Sequence, residues 1–201
     1  MLNCAKPQNG TRRCSRAKSI PSAPQFLKIE PLGESHKPLR AAFACGVEAL
    51  DLYLKQQVRQ DAESRVALPY VLVSGDGRIA GYYTLASYGI RIDDISPELS
   101  KKLKLRRRYP MIGATLLGRL ARDLNFKGQG IGELLLTDAL KRSLLGSQII
   151  ASSVGVIVDA KDDKAQDFYS KYGFFAPFPD TPRRLFLRME TIEELFSKAG
   201  S

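Results

Sequence analysis

Apolar and polar residues alternate in blocks along this chain, and the blocks change period in a readable order. Phe26 to Leu32 alternates weakly, as a first strand does. Val47, Leu50, Leu54 and Val58 recur at three- and four-residue spacing, which predicts an amphipathic helix over Glu48 to Arg59. A short helical turn is expected at Asp61 to Arg65. Leu68 to Ser74 and Arg78 to Ile92 read as strands joined by the tight turn Gly75-Asp76-Gly77, a hairpin signal. Ser96-Pro97-Glu98 opens a helix, with serine as cap and proline in the first helical position, running to Leu103.

The second half repeats strand and helix. Met111 to Leu124 is the expected central strand. Ile131 to about Ile150 is a long helix with Leu136, Leu140 and Leu144 on one face, weakened near its end by Gly146. Val154 to Val158 has the composition of a buried strand, and the chain from Asp159 to Tyr172 follows as a helix stopped by Gly173. Two closing strands are expected around Phe174–Phe178 and Leu185–Met189, then a terminal helix over Thr191 to Lys198. Strands alternating with helices, with a strand–helix–strand crossover in the second half, predict a mixed α/β sheet.

Between the central strand and the long helix lies Lys127-Gly128-Gln129-Gly130-Ile131-Gly132. Three glycines in five positions let the backbone approach a ligand closely. The first-turn N–H groups of the helix have no internal partner, so such a loop is a ready phosphate site. The spacing is not the G-x-G-x-x-G of dinucleotide folds, and Glu133-Leu134 replaces the Lys-Ser/Thr that a nucleoside-triphosphate loop requires.

A second motif narrows the ligand. Phe168-Tyr169-Ser170-Lys171-Tyr172-Gly173-Phe174 follows the last buried strand. With the glycine loop upstream, the chain here resembles the GNAT acetyltransferases, and the resemblance covers roughly residues 26 to 190. It implies a single-domain GNAT fold, a mixed twisted sheet of about six to seven strands flanked by helices. It implies that Lys127, Gly128, Gln129, Gly130, Ile131 and Gly132 cradle the pyrophosphate of acetyl-CoA. It also implies that backbone N–H groups of Leu120, Ala121 and Arg122 hold the thioester and its oxyanion beside a bulge, and that Tyr169 is the general acid. The family usually carries Gln or Arg where this chain has Lys127, which keeps the charge and loses the planar fork.

Three further stretches are similar to one GNAT branch, the toxins of type II toxin–antitoxin modules. They are Phe43 to Gln56, the strand bearing Arg119-Leu120-Ala121 and Asp123, and Arg184 to Arg188. That resemblance implies N-acetylation of the α-amino group of an aminoacyl-tRNA, arrest of translation, a ribbon-helix-helix antitoxin and a homodimer in the cytoplasm. An acetyltransferase of small-molecule amines or protein N-termini, and a basic nucleic-acid-binding domain without catalysis, are the alternatives.

Charge and composition adjust this picture. The net charge of +10 favours an anionic partner, although Lys6, Arg12, Arg13, Arg16 and Lys18 place half of that excess in a tail free of acids. Residues 1 to 25 read as a basic disordered extension: a nucleic-acid-seeking arm, an organellar targeting segment, or upstream sequence that folds into nothing. Lys101, Lys102, Lys104, Arg106, Arg107 and Arg108 concentrate six cations in eight residues, and with Arg119 they are candidates to meet tRNA. By itself such a run is also what a solvated helix end looks like.

No secretory signal and no apolar run near the roughly 18 residues of a membrane span is visible. Cys4, Cys14 and Cys45 show no paired spacing, and the single histidine, His36, is expected to be solvated, so neither a disulfide framework, a zinc site nor a Ser-His-Asp hydrolase is expected. No clear general base stands out, with Glu133 and Asp123 the candidates. An α-amine of pKa near 8 needs little help at neutral pH, whereas a lysine amine at roughly 10.4 does, which favours the α-amine as acceptor.

Overall fold

The computed structural model describes residues 27–105 and 109–199. The basic N-terminal extension and Arg106, Arg107 and Arg108 lie outside the described residues.

One six-stranded sheet organises the chain, and its strands stand in sequence order. They are β1 (Lys28–Pro31), β2 (Leu68–Val73), β3 (Ile79–Arg91), β4 (Met111–Arg122), β5 (Gly155–Asp159) and β6 (Arg184–Arg188). Every neighbouring pair is antiparallel except β4 and β5, which run parallel. A parallel pair needs a long crossover; after α1 (Glu48–Leu52), α2 (Val58–Glu63) and α3 (Pro97–Lys102), the helix α4 (Ile131–Ile149) supplies it.

Alternation along the strands sends side chains to two faces. Tyr83, Val156, Val158, Leu185 and Leu187 point to one face, where they pack with Leu135, Leu136, Ala139 and Leu140 of α4. The same core takes Tyr169 of α5 (Asp163–Ser170) and Ile192 of the last helix, α6 (Met189–Ala199). Tyr83 also donates its hydroxyl hydrogen to Asp138, which Arg142 grips at 2.7 Å, so α4 is pinned to the sheet by a polar contact as well as by leucines. The opposite face carries two smaller cores. Tyr82 and Val71 pack beneath the helix of residues 48–63, and Ile90, Ala114, Ile157 and Phe186 pack beneath the helix opened by Ser96-Pro97 (Pro97–Lys102), whose cap hydroxyl accepts from Leu99 N.

Three expectations change on folding. The helix of residues 48–63 is not regular. It runs as Glu48–Leu52, a π-helical turn Tyr53–Gln57, then Val58–Glu63. The wider turn lets Tyr53, Leu54 and Val58 all bury against the sheet. The expected strand Phe174–Phe178 is absent. Phe175 makes one bridge to Phe186, and Pro177 and Pro179 deny the segment further ladder donors. His36 is 4% exposed rather than solvated. Its Nδ1 accepts from Gly33 N at 2.9 Å and its Nε2 meets Glu30 at 2.8 Å, so the imidazole closes a loop.

Candidate active site

β4 and β5 pair only at Thr115↔Val156 and Leu116↔Ile157. Beyond Leu116, β4 continues to Arg122 with β3 on one side and no strand on the other. Within that stretch Thr84 faces Arg119 and Leu85 faces Leu117, which leaves Gly118 as an unpaired bulge. The bulge falls just upstream of Leu120, Ala121 and Arg122. These three keep their pairing to β3 and present their other edge to the gap.

The end of β4 is tied to a distant segment. Asp123 is buried, and its carboxylate accepts from Ala44 N, Asn125 N and Asn125 Nδ2, each at 2.9 Å. Leu124 N returns a bond to Ala44 O at 2.9 Å. Cys45 N is held in turn by Asp51 at 2.8 Å. Cys45, Val47 and Leu50 thereby become a wall opposite the glycine loop. Asp123, one of the two candidate bases, has its carboxylate taken up by these donors.

The loop itself has the predicted form. Gly128 and Gly130 sit at φ +79 and +70, the left-handed region that glycine favours, and open space surrounds Gly128 where a side chain would stand. Ile131 is fully buried and anchors the first turn of α4, so that turn's N–H groups are fixed in direction.

Between these parts lies a cleft of about 830 Å³. Leu120, Ala121 and Arg122 form its floor, Gly128, Gly130, Ile131 and Gly132 one side, and Cys45, Val47 and Leu50 the other. Glu133, Lys161 and Phe168 complete it. Lys127 and Gln129 are exposed and do not line it. A concave surface with glycine-freed backbone N–H groups at one end and apolar walls toward the other fits a long molecule with a charged head and a thin arm, as acetyl-CoA is.

α5 is capped by Asp162, which accepts from Ala165 N at 2.8 Å. It presents Phe168 to the cleft, and the next residue, Tyr169, is 8% exposed. The Tyr169 ring lies 5.2 Å from that of Phe168 and 5.4 Å from that of Phe174. It shares its core with Ile131 and Phe126, so the phenol and the glycine loop are on the same face of the sheet. Among the described residues the Tyr169 hydroxyl has no hydrogen-bond partner. Burial alone pushes its pKa up to about 12.

The cationic candidates fall in two places. Lys101 and Lys104 border a separate hollow of about 620 Å³ with Asp93 and Ser100, and Lys102 lies 5.5 Å from the centre of the Phe175 ring. Arg119 stands beside the bulge, with its guanidinium carbon 3.5 Å from the centre of the Tyr53 ring. Among the described residues, no three or more His, Cys, Asp or Glu gather as a metal would require, and no helix is long and apolar enough to cross a membrane.

The fold and its cleft define an acetyl-CoA-dependent N-acetyltransferase of the GNAT type. No family model matches the chain. It is 32% identical over 178 residues to the probable toxin TacT of Sinorhizobium fredii, covering 83% of this chain and 93% of the relative. It is 30% identical over 155 residues to the tRNA-acetylating toxin of Mycobacterium tuberculosis, covering 77% and 88%. Among solved structures, a tyrosine-to-phenylalanine mutant of KacT superposes with TM-score 0.77 at 31% identity, over 86% of this chain and 100% of that one. AtaT complexed with acetyl-methionyl-tRNAfMet superposes with TM-score 0.76 at 30% identity, over 85% and 99%. The chain belongs to this family of tRNA-acetylating toxins of toxin–antitoxin systems.

Gly130 offers a direct check on the cleft. Valine there must adopt a left-handed conformation that β-branched residues resist, so the loop must change shape to accept it. Gly130→Val is expected to weaken acetyl-CoA binding by calorimetry about tenfold or more, some 1.4 kcal/mol. Unaltered affinity would place the phosphates elsewhere.

Proposed function

We propose that this protein moves the acetyl group of acetyl-CoA to the α-amino group of an aminoacyl-tRNA and so blocks translation, with Tyr169 as general acid. The observation that carries this reading is one cleft in which a glycine loop with freed N–H groups meets a strand edge without a partner, with the buried Tyr169 phenol directly behind the lining residue Phe168 in the core that Ile131 of the loop also enters.

Gly128, Gly130, Ile131 and Gly132 hold the diphosphate, and binding energy gained there sets the thioester against the edge of β4. Backbone N–H groups of Leu120 to Arg122 receive the oxyanion that forms when the amine attacks. Collapse of that intermediate expels a thiolate, the Tyr169 hydroxyl gives it a proton, and the proton lost by the attacking nitrogen passes through solvent to restore the phenol. Burial keeps that hydroxyl protonated at every physiological pH. Asp123 is occupied and Glu133 borders the cleft; an α-amine near pKa 8 is about one-tenth neutral at pH 7, far more than a lysine amine, so it asks less of any base.

Lys101, Lys102 and Lys104, with the basic run that continues to Arg108, supply a cationic approach for tRNA. Relatives support both partners: AtaT has been solved with acetyl-CoA, and bound to the C-terminus of its antitoxin AtaR. A ribbon-helix-helix antitoxin, a homodimer and a cytoplasmic location complete the proposal.

Incubation of bulk charged tRNA with the protein and acetyl-CoA, followed by mass spectrometry of the 3′-terminal aminoacyl nucleosides, tests it. Acetyl is expected on the α-amine of one or a few amino acids. Bound acetyl-CoA with no acetylated aminoacyl product would overturn the acceptor, and no binding at all would overturn the enzyme.

A further inference from the structure

Arg119 is held in an unusual way for an arginine beside a cleft. Its guanidinium lies flat on the ring of Tyr53, at 3.5 Å from the centroid. Tyr53 is 1% exposed, and its own ring stacks on that of the fully buried Tyr82, with centroids 6.2 Å apart. The platform is therefore immobile. Tyr53 also opens the π-helical turn, and the widened helix is what brings its ring inward there. Among the described residues the Arg119 guanidinium has no hydrogen bond and no carboxylate partner. By contrast, Arg59, Arg78, Arg142, Arg183, Arg184 and Arg188 each grip an acid.

A guanidinium stacked by one face keeps its N–H edge free and fixed in direction, which is the geometry that takes phosphate in a two-pronged grip. Arg119 sits next to the Gly118 bulge, on the strand that lines the cleft and on the sheet face opposite α4. The cofactor's diphosphate is assigned to the loop before α4, away from this spot, so a different anion is needed here.

We infer that Arg119 binds the 5′-phosphate of the acceptor's terminal aminoacyl-adenosine and sets the α-amine in register with the thioester. The inference rests on the aminoacyl-tRNA reading above and adds to it a positioning residue and the group that it recognises. It gives a role to a cation that has no acid partner and is stacked on a buried aromatic pair beside the bulge of β4.

The test uses one pool of charged tRNA cut in two ways. Ribonuclease A releases aminoacyl-adenosine without a 5′-phosphate, and nuclease P1 releases the same esters with it. Wild-type protein is expected to acetylate the phosphorylated fragments with a kcat/KM about tenfold above that of the others. In Arg119→Ala and Arg119→Lys that preference should shrink to under about threefold, with acetyl-CoA affinity and melting temperature as folding controls. A wild-type enzyme indifferent to the phosphate, or variants that lose rate equally on both fragments, would overturn the inference. If neither fragment is accepted, intact charged tRNA decides: the slope of log KM against log salt should fall by about one phosphate contact in Arg119→Ala, and an unchanged slope refutes the role. Failure of the wild type to acetylate intact charged tRNA would instead refute the functional reading on which the inference stands.

Discussion

Tyr169→Phe is expected to lower kcat by about 10²- to 10⁴-fold, roughly 3 to 5 kcal/mol of transition-state stabilisation, while leaving acetyl-CoA affinity and the fold intact. The separation follows from the hydroxyl's surroundings. It has no partner among the described residues, so removing it breaks no hydrogen bond within the protein. The ring contacts with Phe168 and Phe174 survive in phenylalanine. Melting temperature should therefore move by about 2 °C or less. Acetyl transfer to charged tRNA, measured beside calorimetry with acetyl-CoA, checks both halves. Wild-type turnover in the variant would remove Tyr169 from the mechanism.

The pH dependence has a definite sign. Burial raises the Tyr169 pKa above the phenol's usual 10 to about 12, so the folded protein holds that proton longer than the unfolded chain does. The acid stays loaded from pH 6 to 9, and no alkaline limb from this group is expected there. For stability, the contribution is complete below pH 10 and disappears as pH climbs from about 10 through 12.

The largest effect on folding is expected from Gly155→Ala. Gly155 opens β5 between β4 and β6. A Cβ there would lie 2.3 Å from the backbone oxygen of Leu187 and 2.5 Å from the Phe186 ring. Backbone oxygen in a paired strand cannot swing aside as a flexible side chain can, so β5 and β6 must separate. A destabilisation of about 3 kcal/mol is expected, which for a domain of this size lowers the melting temperature by roughly 6 to 12 °C. Thermal unfolding of the purified variant measures it, and an unchanged midpoint would mean that β5 does not approach β6 so closely.

Much of this architecture is legible in the residues because the local signals agree with the tertiary structure. Gly75-Asp76-Gly77 turns the hairpin, Ser96 caps its helix, and the blocks of valine and isoleucine become the buried strands. The loop and β4 are legible by motif and border one cleft, which Tyr169, also named by the motif, does not line although it shares a core with Ile131. What stayed hidden depends on long-range contact. Cys45, Val47 and Leu50 reach the cleft because a carboxylate 79 residues from Ala44 binds its N–H, and no local pattern records that bond. The π turn leaves the three- and four-residue spacing of apolar positions nearly intact, so periodicity alone cannot place it. Phe174 to Phe178 has strand-like composition, but Pro177 and the adjoining Pro179 lack the N–H groups a ladder needs, and one bridge to Phe186 is all that forms. Lys161 and Phe168 flank the site in sequence positions that charge and aromaticity alone do not single out.

The short ladder between β4 and β5 has a mechanical consequence. Two residue pairs and a bond from Val154 N to Gly113 O join β4 to β5, and beyond them the two strands part at a seam. A thin ligand arm lodged in that seam supplies contacts that the missing ladder does not. Amide hydrogens along the seam should exchange with solvent fastest in the empty protein and slow sharply once the cofactor is in place, so that the molecule stiffens as it becomes ready to react.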